Sequence, residues 1–131
     1  MSLVVPASVP EPTRATVLVV EDEVFIRLDV SEALRGAGFE VIEAESAGNA
    51  FSLIEAGKSL DVVFTDIQLP GMLDGLALAN MIRAAHPLLP VVITSGNTAK
   101  RTEASRIGKF VPKPYQIGDV VKLITDIVEM A

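Results

Sequence analysis

The chain has 131 residues, half of them hydrophobic, and its 11 basic against 17 acidic side chains give a net charge of −6. That length suits one domain with a real core, and the acidic balance argues against direct nucleic-acid contact, since phosphate binding needs a basic face. Cysteine is absent, which excludes disulfides and thiolate metal sites, and no apolar run approaches the roughly 18–20 residues of a membrane helix, so a cytoplasmic protein without membrane contact is expected.

Residues 1–14 carry Pro6, Pro10 and Pro12 with little periodicity and are expected to form a flexible arm ahead of a domain over 15–131. Ala15 to Val20 has the continuous apolar character of a buried strand and ends in Glu21-Asp22-Glu23. Acids favour helix starts, and a helix does follow: Ile26, Val30, Ala33, Leu34 and Ala37 form one stripe, closed by Gly36 and Gly38. Phe39 to Glu43 is a short strand. Ser46 can cap a helix whose inner face is Ala47, Ala50, Phe51 and Ile54.

The apolar run Val62 to Phe64 is the central strand, ending in Asp66. A turn-rich stretch with Pro70, Gly71 and Gly75 leads to a third helix, with Asp74 as N-cap and Leu78, Met81, Ile82 and Ala85 facing inward. His86-Pro87 ends it, and a histidine there is a favourable cation at a helix C-terminus before it is anything catalytic. Val91 to Ile93 forms a fourth strand leading into Thr94-Ser95-Gly96-Asn97. Residues 98–107 have few apolar anchors and predict only a weak helix. Phe110-Val111 is a minimal fifth strand, with Pro112 suited to a sheet edge. Val120, Val121, Ile124, Ile127 and Val128 line the last helix. Strict alternation of five strands and five helices predicts an α/β domain with a parallel sheet.

In such a sheet the carboxyl ends of the strands share one rim. The rim would carry Glu21 and Asp22, then Asp66, Ser95 with Thr94 beside it, and Lys113. Three carboxylates crowded together repel unless a cation joins them, and oxygen-only ligands select a hard ion such as Mg²⁺. A lysine and a hydroxyl add positive charge and a donor for an anion, a combination suited to phosphoryl transfer. No Gly-rich phosphate loop, Ser/His/Asp set or His/Cys metal cluster is present. Asp66 therefore remains as the phosphoryl acceptor, attacking through its carboxylate.

With these residues in place the chain resembles a bacterial two-component response regulator receiver domain of the single-domain, CheY-like kind, over about residues 15–131. The pieces carrying the resemblance are Val17-Leu-Val-Val-Glu-Asp-Glu23, Thr65-Asp66 with Pro70 and Asp74-Gly75 behind it, Thr94-Ser95-Gly96, and Lys113-Pro114. The resemblance implies a flavodoxin-like sheet of order 2-1-3-4-5 with helices on both faces. It implies Asp66 phosphorylated by a sensor histidine kinase, with Asp22 holding Mg²⁺ directly, Glu21 through water, and the Gln68 backbone carbonyl completing the protein ligands. Ser95, Gly96 and Lys113 would contact the phosphoryl group, and Lys113-Pro114 would be a cis bond. Ser95 rather than Thr94 is the family hydroxyl, and Phe110 the switch aromatic that follows it inward. The face of helix 4, strand 5 and helix 5 would then change its affinity for a downstream protein.

Four features depart from the family pattern. The turn after Asp66 has one extra residue, helix 4 has room only to be short or partly unwound, Phe110 stands where Tyr is common, and Gly96 follows the hydroxyl. Together they resemble an alphaproteobacterial subgroup with a Pro-Phe-x-Phe-Ala-Thr-Gly-Tyr stretch, which Pro90 to Asn97 matches in part. Two other readings stay open: a constitutive, unphosphorylated interaction module, and an aspartyl-phosphate phosphohydrolase. The latter needs a second acid where Gln68 stands. A stand-alone module is expected, with a receiver excised from a longer protein as the alternative. A homodimer is compatible with the sequence.

Overall fold

The computed structural model describes residues 14–130, so the expected arm lies outside the described residues except for Arg14, which pairs with Glu40 at 3.5 Å on the surface. The elements run β1 (Thr16–Val20), α1 (Val24–Gly36), β2 (Glu40–Ala44), α2 (Ala47–Glu55), β3 (Val62–Asp66), α3 (Gly75–Ala85) and β4 (Val91–Ser95). A single 3-10 turn (Thr98–Lys100) then enters the five-residue α4 (Arg101–Ser105), followed by β5 (Lys109–Pro112) and α5 (Ile117–Met130). All pairings are parallel and the strand order is β2-β1-β3-β4-β5, as expected.

Each of the three inner strands carries a continuous apolar run because both of its faces are covered. Leu18, Val20, Val63 and Ile93 meet α2, α3 and Ala104 of α4 on one side. Val17, Val19, Phe64 and Val92 meet Val30 and Leu34 of α1 and Val120 and Ile124 of α5 on the other. Each such side chain contributes roughly 1.5–3 kcal/mol by leaving water. The edge strands β2 and β5 are only partly covered, and Pro112, with no N–H to give, sits at the end of edge strand β5.

Local chemistry sets the helix starts. Glu23 accepts from the Phe25 and Ile26 amides, Ser46 Oγ from Asn49 N at 3.0 Å, and Asp74 Oδ1 from Ala77 N at 2.8 Å. Each cap is worth about 1 kcal/mol. Beyond one- or two-residue changes at the ends of β1, β4 and β5, two differences from the sequence reading have a visible cause. β2 is displaced by one residue, to Glu40–Ala44, because Phe39 is packed into the α1/α5 layer and the ladder begins with Thr16 opposite Glu40. Ala37 is exposed at the C-cap of α1 and drops out of its stripe, the chain turning away at Gly38 with φ 100°.

One contact fixes the rim of the sheet. The start of α3 lies directly on the end of β3: Gly75 N donates to Ile67 O at 2.7 Å, and a Cβ on Gly75 would overlap the carbonyl oxygen of Asp66. Only a residue without a side chain fits there. Gly75→Ala is expected to cost at least the ~1–3 kcal/mol of a strained overpacking, since the obstacle is backbone, and to shift the Asp66 amide signal. Urea unfolding and an amide spectrum check this; a variant as stable as the parent would show that the close approach does not constrain the site.

Candidate functional site

Glu21, Asp22 and Asp66 converge where β1 and β3 end, and a carboxylate oxygen from each lies within 4.8 Å of the others. Glu21 and Asp66 are buried while Asp22 is exposed at the mouth. Lys113, just past the end of β5, reaches in. Its Nζ is 2.7 Å from Asp66 Oδ2 and 3.2 Å from Glu21 Oε1. The second oxygen of Asp66 accepts from the Gln68 amide at 3.1 Å, and the second oxygen of Glu21 from the Glu23 amide at 3.1 Å. The expected cis bond is present at Lys113-Pro114.

Ser95 is fully buried, and its Oγ accepts from Asn97 N at 3.0 Å rather than bonding to Asp66. Thr94 Oγ1, equally buried, has no hydrogen-bond partner. Gly96 follows at the surface. Phe110 is not part of the carboxylate cluster. It lies on β5 opposite Ile93, half-buried against the core, with the Arg101 guanidinium 5.8 Å above its ring. A cleft of about 450 Å³ lined by Asp22, Gln68, Asp74, Asn97 and Lys100 opens beside Asp66. A larger one, about 670 Å³, lies at the other end of the sheet near Asp61, His86 and Pro90 and contains none of the converging groups.

Glu23 is the helix cap that the acidic run allowed. Sequence reasoning missed two contributors. The Gln68 amide donates to Asp66 Oδ1. Arg27 donates from Nη1 to the Glu21 carbonyl at 2.9 Å while its Nε holds Glu43 at 3.1 Å. Arg27 stands off the buried stripe of α1, next to Ile26, and the acid opposite it on β2 was the available signal.

The charges are interdependent. Burial pushes the Glu21 carboxyl above its usual 4.5, and nearby Asp66 adds to the rise against the opposing pull of the Glu23 amide and Lys113. Burial by itself would lower Lys113, but the hydrogen bond and charge of Asp66, then those of Glu21, outweigh it and hold the ammonium above 10.5. Three carboxylates against one ammonium leave a formal double negative charge on hard oxygen atoms, a donor set that fits Mg²⁺. Because Lys113 is raised in the folded state, its contribution to stability is complete below 10.5 and is lost as the pH climbs through the higher folded value. Lys113→Met is therefore expected to lose about 3 kcal/mol at neutral pH, the low end for breaking a buried pair, and to flatten the alkaline decline. Urea midpoints measured from pH 7 into the alkaline range check both, and an unchanged alkaline limb would contradict the assignment.

Known proteins resemble this chain in sequence and fold. Residues 17–125 match the response regulator receiver domain family. The chain is 37% identical over 115 residues to the DNA-binding transcriptional regulator NtrC of Salmonella typhimurium, covering 85% of this chain and 24% of that protein. It thus spans about a quarter of the length of that relative. The solved receiver domain of NtrX from Brucella abortus is 38% identical with a TM-score of 0.80, covering 88% of this chain and 99% of that one. The response regulator TrrA of Thermotoga maritima, solved with Mg²⁺–BeF, is 26% identical with a TM-score of 0.79, covering 86% and 98%. Among the described residues no helix is long and apolar enough to cross a membrane. Fold, rim chemistry and relatives agree, and the chain belongs to the response regulator receiver domain family, signalling domains that bind Mg²⁺ at an acidic site and take phosphoryl groups from sensor kinases.

Proposed function

We propose that Asp66 accepts a phosphoryl group from a sensor histidine kinase in a Mg²⁺-dependent reaction, and that the modified domain changes its affinity for a downstream protein. The observation that carries this is the joint hold of Lys113 on Asp66 Oδ2 and Glu21 Oε1 inside an oxygen-only pocket. The Mg²⁺–BeF complex of TrrA supports it, since that group on a carboxylate imitates a phosphoryl group.

The residues divide the work. The Gln68 amide and Lys113 orient the Asp66 carboxylate, holding one oxygen each. A carboxylate oxygen attacks phosphorus; the new O–P bond forms as the P–N bond to the donor histidine breaks, and the freed electron pair returns to the imidazole. Mg²⁺ held by Asp22, Asp66, the Gln68 carbonyl and, through water, Glu21 would neutralise the phosphoryl oxygens. Lys113 follows the negative charge from Asp66 onto the phosphoryl group. Ser95 Oγ, now only accepting from Asn97 N, keeps its own proton to donate to a phosphoryl oxygen, beside the Gly96 backbone. Its movement opens space toward Phe110, whose shift would alter the face made by α4, β5 and α5, typically with ~1–3 kcal/mol of coupling. The domain catalyses only its own phosphorylation and dephosphorylation. Gln68 offers no second acid, which favours this over a phosphohydrolase. We place the protein in the cytoplasm, with residues 15–131 as the functional unit and the arm accessory to it.

Asp66→Asn is expected to keep the fold and lose all phosphoryl uptake from a small-molecule donor such as phosphoramidate, read by intact mass. Uptake by that variant would move the acceptor elsewhere. Lys113→Ala is expected to keep Mg²⁺ binding but lose the beryllofluoride-induced amide shifts at Phe110 and along α5; a parental shift pattern would remove Lys113 from the coupling.

A further inference from the structure

We propose that Arg27 is a positioning residue for the acidic pocket: by bridging Glu43 on β2 to the backbone carbonyl of Glu21, it fixes the segment that presents Glu21 and Asp22, and so sets the pocket's Mg²⁺ affinity. The inference rests on the reading of that pocket as a Mg²⁺ site.

The Glu21 backbone is held from the β2 side at both of its polar groups. Its N–H donates to Ala44 O at 3.0 Å, and its C=O accepts from Arg27 Nη1 at 2.9 Å. Arg27 is in turn fixed by Glu43, Nε to Oε1 at 3.1 Å, with the two side chains only 16% and 23% exposed. A guanidinium suits this task because its planar fork serves two acceptors in fixed directions, which a single ammonium cannot do. The other oxygen of Glu43 is held by Arg35 Nη2 at 3.0 Å, and Arg35 makes no described contact with Glu21. Both arginines meet the Glu43 carboxylate, but among the described contacts only Arg27 also reaches the Glu21 carbonyl, so Arg35 serves as a matched control. Asp22, the exposed acid at the mouth, has no described side-chain hydrogen bond, so its placement depends on the backbone that precedes it.

The sign of the effect separates positioning from simple electrostatics. Arg27 is a cation near a cation site, so by Coulomb's law alone its removal would tighten Mg²⁺ binding. As a positioning residue its removal must weaken binding, and loss of an outer partner of this kind typically costs about 10–100-fold in metal affinity.

The test is Mg²⁺ titration of the full chain, by calorimetry and by the amide shifts of Glu21 and Asp22, for the parent, Arg27→Ala, Arg27→Lys and Arg35→Ala. The expected result is about tenfold or greater weakening in Arg27→Ala, at least roughly threefold in Arg27→Lys, and parental affinity within about twofold in Arg35→Ala. Should Arg27→Ala not fold, Arg27→Lys, which keeps the charge and the aliphatic stem, carries the test. Unchanged or tighter binding in the Arg27 variants would overturn the proposal, as would an equal loss in Arg35→Ala, which would trace the effect to Glu43 rather than the Glu21 carbonyl. A parent chain that binds no Mg²⁺ would instead remove the reading of the pocket on which the inference stands.

Discussion

Three carboxylates cannot share the end of a sheet without a counter-charge, and among the described residues it is the ammonium of Lys113 that pairs with two of them. It comes from the far edge of the sheet, 92 residues along the chain from Glu21. For that contact to form, β5 must lie parallel to β4 with Ser95 opposite Pro112, and β3 must lie between β1 and β4. The strand order and the pocket are one constraint seen at two scales. The arrangement also leaves the pocket net negative, so folding stores an electrostatic debt that a divalent cation or a rearranged lysine can relieve.

Much of this was legible from residue types alone. Continuous apolar runs before Glu21, Asp66 and Ser95 identify the inner strands, because only a strand covered on both faces has no polar alternation. Ser46 and Asp74 announce helix starts through their side-chain chemistry, and His86-Pro87 announces an end. The cluster of acids with Lys113 followed from topology once the sheet was parallel. What was not legible is contact made through backbone. The Gln68 amide at Asp66, the α3 turn seated on the Asp66 carbonyl and the guanidinium at the Glu21 carbonyl each use a backbone atom that every residue has, so residue type marks at most one side of the contact. The one-residue displacement of β2 is of the same kind: Phe39 has an apolar signal whether it ends a loop or begins a strand.

The segment after Ser95 differs most from the regular alternation. A 3-10 turn and five helical residues replace a full helix, anchored inward by Ala104 and Ile107. The surrounding structure ties down its far end: Arg83 of α3 donates to the Ile107 carbonyl, and the chain at Gly108 runs against the Val91 carbonyl so closely that a Cβ would overlap it. Arg101 covers Phe110 from this segment. These ties hold the far end of the segment, while its near end, from Asn97 to Ala104, carries the guanidinium that covers the Phe110 ring.

The turn from Gln68 to Asp74 has the opposite character. Its ends are pinned to each other, Gly75 N to Ile67 O, and its middle projects outward, with Met72 fully exposed and Gly71 at φ 94°. A loop closed at its base can change length without disturbing what lies beneath, since each doubling adds only about 0.6 kcal/mol of closure entropy. The turn is therefore a natural variable region of this scaffold. A grafted recognition peptide or reporter tag placed at its tip would sit beside the Asp66 carboxylate while leaving the strand that carries it in register.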